Sequence, residues 1–498
     1  MTDALVLLIV LPIAAAILPV FLGILSDRAG WYVALAMSLA HLGLSAIVAN
    51  AVDTSGRISY AVGGFQPPFG IELVADGISA PLLVLISIST LGVVVYARRA
   101  GPHSNAFYSE LALLTAGISG VVATADVFNL YVFLEITGLA TYALVASGRS
   151  PRAAVASLKY LFVGTIGASL YLLGTGYLYI ATGTLNMASL SEAIVATPAG
   201  YASPTVLTGF GLMATGLLVK VAIFPLHTWQ PGAYAESPDT VSAYISALVS
   251  TAAAYGLFRV TYTVFTRDFL EAVPIAADAF VLLGSVSIVA GSVLAVMQSD
   301  LKRMLAYSSV SQFGLVVTAI GIGNKTALIG AVVHLIGHAV MKGGLFLALG
   351  VFAASVGART MDEFKGLAAR EPVTSAAFAV LAFSMVGIPP AIGFIGKWNI
   401  VVGAVEAGSW SVALVVVVST LLTLAYFGRV IERMYFTHPD ETDVADASVS
   451  ADGGQPASDV SLGMRTVVVV AAVTAVLLGI AGSDLIDIIR PALEVYFV

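Results

Sequence analysis

Fourteen apolar runs, most of about twenty residues or more, follow one another along the 498-residue chain. They lie at about 4–24, 31–51, 77–97, 107–124, 127–147, 155–181, 205–224, 240–263, 275–298, 304–322, 326–354, 374–404, 410–434 and 466–484. A helix of about 20 apolar residues crosses a hydrocarbon layer of roughly 30 Å, and at that depth the backbone must satisfy its own hydrogen bonds. The expectation is therefore an all-α polytopic membrane protein of about 14 transmembrane helices. Composition agrees, since charged residues make up only 10% of the chain against roughly 25% in soluble domains. The first run is read as a mature helix rather than a signal peptide, because Met1-Thr2-Asp3 places no basic segment before it.

The absence of cysteine excludes disulfides, Cys-ligated zinc, iron–sulfur clusters and a thiol nucleophile. No cofactor motif is present, so neither a cofactor nor a metal is expected, and a net charge of −7 gives no support for nucleic-acid binding. What remains is chemistry on protons or inorganic ions, or chemistry borrowed from a redox partner. Orientation follows from the bases, because cytoplasmic loops carry the excess of Lys and Arg. On the side of the loop between spans 1 and 2, side A, lie 14 of the 22, among them Arg28, Arg98, Arg99, Lys302, Arg303 and Arg359; side B holds five, Arg57, Arg259, Arg267, Lys325 and Arg490. Side A is thus expected to face the cytoplasm of a cell (plasma) membrane, with both termini extracytoplasmic. The remaining three bases, Lys220, Lys342 and Lys397, fall inside spans.

Residues 55–74 alternate polar and apolar with Gly and Pro between, which reads as an extracytoplasmic β-hairpin. Residues 438–459 hold six acids and no base, an acidic cytoplasmic loop. Span 7 carries Lys220 five residues before Pro225, and span 12 carries Lys397 seven residues after Pro390. Proline removes a donor and clashes with the preceding turn, so both spans should be broken. Because spans 7 and 12 are an odd number apart, units 4–8 and 9–13 would run in opposite directions, the pattern of two inverted five-helix repeats. The division that follows is 1–103 with the hairpin, 104–263 as the first half, 275–434 as the second, 435–465 as the acidic loop and 466–498 as the last helix.

Glu135 in span 5 joins the three lysines as a charge inside the membrane. Each such charge costs roughly 2.5–3.5 kcal/mol at mid-bilayer on an insertion scale, so four unpaired would cost about 10–14 kcal/mol. Buried ion pairs that merely tie helices together are one explanation. Proton transfer is the other, and His334 and His338 favour it, because they precede Lys342 at i−8 and i−4 on one helix face, a ladder of proton-exchanging groups about 6 Å apart. A metal on these histidines is disfavoured by the adjoining ammonium and the lack of a carboxylate on that face. If Glu135 pairs with Lys220, the lysine holds its proton while the pair is closed and releases it when the carboxylate withdraws. His227, at the break of span 7, either carries protons or caps the broken helix. Asp126 and Asn129 read as solvated near the outer surface, Asp300, Lys302 and Arg303 as interfacial anchors, and Arg259 and Glu406 as side-B groups that snorkel or line an exit.

These residues resemble a known family, the antiporter-like membrane subunits of respiratory complex I and of multisubunit Mrp cation/proton antiporters. The resemblance rests on DVFNLYVFLEITGLATYAL around Glu135, LKYLFVGTIGASLYLLGTGYLY in span 6, LVKVAIFPLHTWQPGAYAESP around Lys220, QSDLKRMLAYSSVSQFG, HLIGHAVMKGGLFLALG and GIPPAIGFIGKW around Lys397. The span 6 stretch, the following TGTLNMASL and the length without a C-terminal extension look most like the MrpD component of those antiporters. The resemblance implies Glu135 and Lys220 as the pair of a first half-channel, Lys342 and His338 as a central relay, and Lys397 as the exit-side group. It also implies partner subunits in the membrane and a flux of protons, with Na⁺ as the exchanged cation. Many relatives have a lysine in span 8 where this chain has Thr251, so the link between the halves falls to water, Ser250, Thr251 or the histidines.

Three functions follow as candidates. The first is a proton-translocating subunit of a multisubunit monovalent-cation (Na⁺)/proton antiporter, and the second a proton-pumping membrane-arm subunit of an NADH:quinone oxidoreductase or hydrogenase-type complex. A standalone solute transporter is the third, and it would need a substrate site that the sequence does not display beyond its lysines.

Overall fold

The computed structural model describes residues 2–24, 26, 28–148, 150–437 and 460–497. Among them thirteen helices are long and apolar enough to cross a membrane. The chain opens with α1 (Asp3–Leu22) and α2 (Ala29–Ser55), then a two-stranded sheet of β1 (Ile58–Ala61) and β2 (Glu72–Ala75). The strands are antiparallel with Ile58 opposite Ala75 and Ala61 opposite Glu72, so the expected hairpin forms. Next come α3 (Ser79–Ala100), α4 (Asn105–Ala123), α5 (Val127–Ala146), α6 (Pro151–Thr182), the short α7 (Met187–Ala196), α8 (Pro204–Val221) and α9 (Gln230–Glu236). The middle holds α10 (Asp239–Arg259), which continues through a π-helical stretch (Val260–Phe265) into α11 (Thr266–Ala272), and then α12 (Pro274–Val296), α13 (Leu301–Ile322) and α14 (Lys325–Val356). The chain ends with the turn α15 (Leu367–Arg370), α16 (Pro372–Val386), α17 (Ile392–Glu406), α18 (Trp410–Tyr435), α19 (Leu462–Ile480) and α20 (Gly482–Glu494).

Both expected breaks are present. Span 7 ends as α8 and resumes as α9, and span 12 is divided into α16 and α17, each of 15 residues and too short to cross alone. The other expected spans are single helices. The acidic stretch at 438–459 lies outside the described residues. Elements too short or too polar to register as spans escaped the reading by apolar length, among them α7 and the amphipathic α20.

Helix starts are set by side-chain caps. Ser104, Asp126, Ser150, Asn186, Asp300, Asn324 and Ser461 each accept a hydrogen bond from the backbone N–H three residues on, which satisfies a donor the helix leaves free. This corrects the reading of Asp126, which is buried as a cap rather than solvated; Asn129 supplies the amide it accepts from.

Burial sorts the helices into an inside and an outside. Every residue of α10 from Thr240 to Arg259 is buried, and α14 is buried over most of its length. The outer helices instead turn large apolar side chains outward, such as Ile17, Leu39, Phe162, Leu282, Leu414 and Val473. Where helices approach closely, small residues permit it. A Cβ on Gly216 of α8 would collide with the carbonyl oxygen of Gly167 on α6, and one on Gly291 of α12 would stand 2.5 Å from the Ser311 nitrogen of α13.

Charges at the helix ends are paired more tightly than expected. Arg259 does not snorkel: it is buried, ion-paired to Asp76 and bonded to Tyr255 at 2.6 Å and to Tyr496 at 2.7 Å. Burial pushes the Asp76 pKa up, yet the Arg259 charge and the hydrogen bonds from Arg259 and the Ser79 and Ile78 amides together outweigh it and hold the carboxyl below its usual range. Lys302 is likewise a buried tie rather than an interfacial anchor, bonded to the Ser237 carbonyl at 2.6 Å and to Asp239 at 3.1 Å, with Arg359 on the same carboxylate at 3.2 Å. It joins α13 to the start of α10. Arg303 reaches Glu236 at 3.8 Å, and Glu406 is exposed beside Arg267 and Lys325.

Two outcomes are expected. Gly216→Val should force α6 and α8 apart and cost about 1–3 kcal/mol, read as a lower melting temperature in detergent with no gain from lipid. Asp76→Asn should leave Arg259 buried without a counter-charge and cost roughly 3–5 kcal/mol, seen in the same measurement.

Candidate functional site

The first charged node forms where α8 stops. Ala222 takes a left-handed conformation, φ 67°, rare for a residue with a side chain, and the chain turns through Pro225 before α9. Trp229, beyond the break, donates from its indole to the Val219 carbonyl at 2.9 Å, ahead of the break. Its ring stacks on Tyr160 at 3.8 Å, and Tyr160 meets Tyr142 edge-on at 4.7 Å. Tyr142 in turn accepts from the Lys220 ammonium at 3.4 Å. The turn thus fixes the lysine through three aromatic rings.

Lys220 also lies 3.5 Å from Glu135, the ion pair expected from the sequence. The partners are unequally enclosed, with side-chain exposures of 6% for the lysine and 24% for the glutamate. Gly138, one turn on from Glu135, makes the room: a Cβ there would stand 3.2 Å from the ammonium.

The second node is α14. His334, His338 and Lys342 are all buried, with the imidazole centroids 6.5 Å apart. Lys342 has no carboxylate partner among the described residues. Its ammonium donates to the Leu305 carbonyl at 3.1 Å and to Ser308 at 2.9 Å, and Ser308 shares a hydrogen bond with Tyr426 at 2.8 Å. All four ring nitrogens of the histidines lack a partner, as do both amide atoms of Gln312, one turn along α13 from Ser308. Phe313 packs on His338 at 4.6 Å.

The third node sits in the broken span 12. α16 ends at Gly387, φ 99°, and Lys397 on α17 turns its ammonium back to the Met385 and Val386 carbonyls at 2.8 and 3.0 Å. A helix C-terminus leaves carbonyls unpaired and carries a partial negative charge. Lys397 meets both needs.

Between the first and second nodes lies a polar group that sequence reasoning only half identified. Ser250 on α10 receives a hydrogen bond from Gln230 at 3.3 Å and lies 3.4 Å from the Tyr234 hydroxyl, with Gln230 and Tyr234 themselves 3.1 Å apart. The missed signal was a Gln and a Tyr four apart directly after the break. Thr251 is not part of this group: its hydroxyl donates to the Ala247 carbonyl of its own helix at 2.7 Å. His227 is buried against Phe224 and Tyr307, with Nδ1 unpartnered.

The family described as NADH:quinone oxidoreductase/Mrp antiporter, TM, matches residues 124–423, which contain the glutamate, the lysines and the histidines of the three nodes. The chain is 41% identical over 439 residues to the N subunit of the NADH-quinone oxidoreductase of Desulforudis audaxviator, covering 85% of this chain and 86% of that one. It is 30% identical over 447 residues to the D subunit of the Na(+)/H(+) antiporter of Bacillus subtilis, covering 89% of each. Its structure is similar to a chain of the Mrp complex from Dietzia sp., with a TM-score of 0.88 and 26% identity over 99% of this chain and 97% of that one. The likeness to the antiporter component is therefore shared with a redox-complex component of higher identity. With six sequence motifs, the broken helices and a match over 124–423 in agreement, the chain belongs to the NADH:quinone oxidoreductase/Mrp antiporter transmembrane family.

Proposed function

We propose that this chain is the proton-translocating subunit of a multisubunit monovalent-cation (Na⁺)/proton antiporter, in the plasma membrane with side A toward the cytoplasm and both termini outside. The observation that carries the reading is the Glu135–Lys220 pair at the end of α8, enclosed on the lysine side and part-open on the glutamate side. At 3.5 Å the two charges attract by roughly 5 kcal/mol at an effective dielectric near 20. That is enough for the position of one carboxylate to decide whether the lysine keeps its proton.

From Lys220 the path runs past Tyr142 toward Gln230, Tyr234 and Ser250, then across α10 to Lys342, His338 and His334, and out by Lys397. Buried polar atoms normally find partners. The unpartnered atoms of His227, Gln230, Gln312, His334 and His338 line this route, and polar surroundings of that kind are where bound water is expected. A wet link supplies what the missing span 8 lysine would have done, with Ser250 rather than Thr251 as its fixed member. The two half-channels are the inverted units 104–263 and 275–434, each with its own broken helix. Partner subunits in the membrane supply the coupling.

The same path would serve a redox-driven complex, and the 41% identity to the N subunit of an NADH-quinone oxidoreductase favours that second reading. Mass spectrometry of the co-purified subunits separates them. Small membrane subunits alone support the antiporter, whereas flavin and iron–sulfur subunits would replace it with the redox pump.

Glu135→Gln or Lys220→Ala is expected to abolish Na⁺-dependent pH changes in vesicles carrying the whole complex, and unchanged activity would refute the path. Gln230→Leu is expected to slow the flux severalfold while Thr251→Val leaves it near wild type. The reverse order would move the link to Thr251.

A further inference from the structure

A cavity of about 490 Å³ at side A, remote from the charged nodes, is lined by Arg28, Trp31, Tyr32, Arg98, Arg99, His103 and Tyr108. It is formed by the turn between α1 and α2, the end of α3 and the start of α4. The walls are held in place. Asn105 accepts from the Gly30 amide at 2.7 Å and donates to the Ser26 carbonyl at 3.0 Å, which pins the α1–α2 turn to α4. Trp31 donates its indole N–H to the Val94 carbonyl of α3 at 3.0 Å, and the Arg98 guanidinium lies 4.6 Å over the Trp31 ring.

The charge in this cavity is unbalanced. Five of the other bases on side A are paired with carboxylates: Lys302 and Arg359 share Asp239, Arg303 has Glu236, Arg433 has Asp362 and Arg465 has Glu371. Arg28, Arg98 and Arg99 have no carboxylate partner among the described residues. Even if Asp27, next to Arg28 in the chain, is counted against them, two guanidinium charges remain uncompensated. Like charges around one concavity concentrate a positive potential there, and planar guanidinium groups match phosphate oxygens two at a time.

We infer that this cavity binds the phosphate of an anionic phospholipid from the side-A leaflet. The phosphate is held by Arg28, Arg98 and Arg99, and the acyl chains lie along the outer faces of α1 and α2. The setting selects a lipid over a soluble anion. Trp31 and Tyr32 supply the aromatic pair characteristic of the headgroup level, and Tyr32 of the lining, with Phe21 and Ile24 shortly before Arg28 in the chain, turns large apolar surface outward. α1 is the most hydropathic of the spans and only 33% buried over its apolar window, so lipid chains have a face to lie on. Basic pockets between membrane helices on the cytoplasmic side are the recurring form of such sites.

The test uses the intact complex purified with this chain, stripped of lipid with detergent and titrated with dioleoylphosphatidylglycerol or dioleoylphosphatidylcholine, with bound lipid counted by native mass spectrometry. Wild type should retain phosphatidylglycerol in preference to phosphatidylcholine. The R98Q/R99Q variant should bind it about tenfold or more weakly, from roughly 1 kcal/mol per base at the surface. R303Q/R433Q, which removes the same charge from paired positions, should bind as wild type, and this separates a site from general attraction. Equal retention in R98Q/R99Q and wild type, equal retention of the two lipids, or full displacement by millimolar inorganic phosphate would each overturn the proposal. The last of these would make the occupant a soluble anion.

Discussion

An ammonium group placed among hydrocarbon must find electron-rich partners, and much of the interior of this protein can be read as the answer to that demand for three lysines. Lys220 takes a carboxylate and a phenol, Lys342 a backbone carbonyl and a hydroxyl, and Lys397 the two free carbonyls at the end of α16. The three solutions differ in kind. Among the described residues only the first contains an opposite full charge, so there a shift of one side chain can add or remove several kcal/mol at once. The other two rest on dipoles, which hold a proton more weakly and have no counter-charge to withdraw. A path with a switch at one end and dipolar stations beyond it follows from these partners.

The helix breaks are what make such partners available. An intact helix consumes its own carbonyls, whereas α16 stops at Gly387 and leaves the Met385 and Val386 carbonyls to Lys397. At the end of α8 the break works through shape: the reversed chain returns Trp229 to the Val219 carbonyl and, through Tyr160, sets Tyr142 against Lys220. Between these stations α10 is buried from Thr240 to Arg259 and rich in small and hydroxylated residues, so that α8 and α14 can both approach it. The seam is thereby lined with Ser250, Gln230 and Tyr234 in place of a lysine.

Much of this could be read from the chain directly. Apolar length located the spans, proline located both breaks, and the spacing of His334, His338 and Lys342 placed them on one face. The pairing of Glu135 with Lys220 was legible because each charge required a partner and few were on offer. Other features could not be read. Arg259 and Lys302 looked like interfacial residues because sequence distance says nothing about Asp76 and Asp239, which reach them from remote segments. Asp126 looked solvated because a capping carboxylate and a surface carboxylate have the same local sequence. Ser250 and Thr251 were equivalent candidates until helix rotation turned one toward Gln230 and the other toward its own backbone.

The sequence by itself determined that the chain lives in a membrane, how many times it is long enough to cross, where the crossings break and which three lysines lie deep within them. These are properties of single segments, set by hydrophobic length, the missing proline donor and the cost of an isolated charge. The tertiary structure alone decided the other partners: carbonyls for Lys397, and buried counter-charges for Arg259 and Lys302 but none among the described residues for Arg28, Arg98 and Arg99. Such pairings depend on which helix faces meet. That is fixed by packing between segments remote in the chain, through glycine contacts such as Gly167 with Gly216, and not by any one segment's composition.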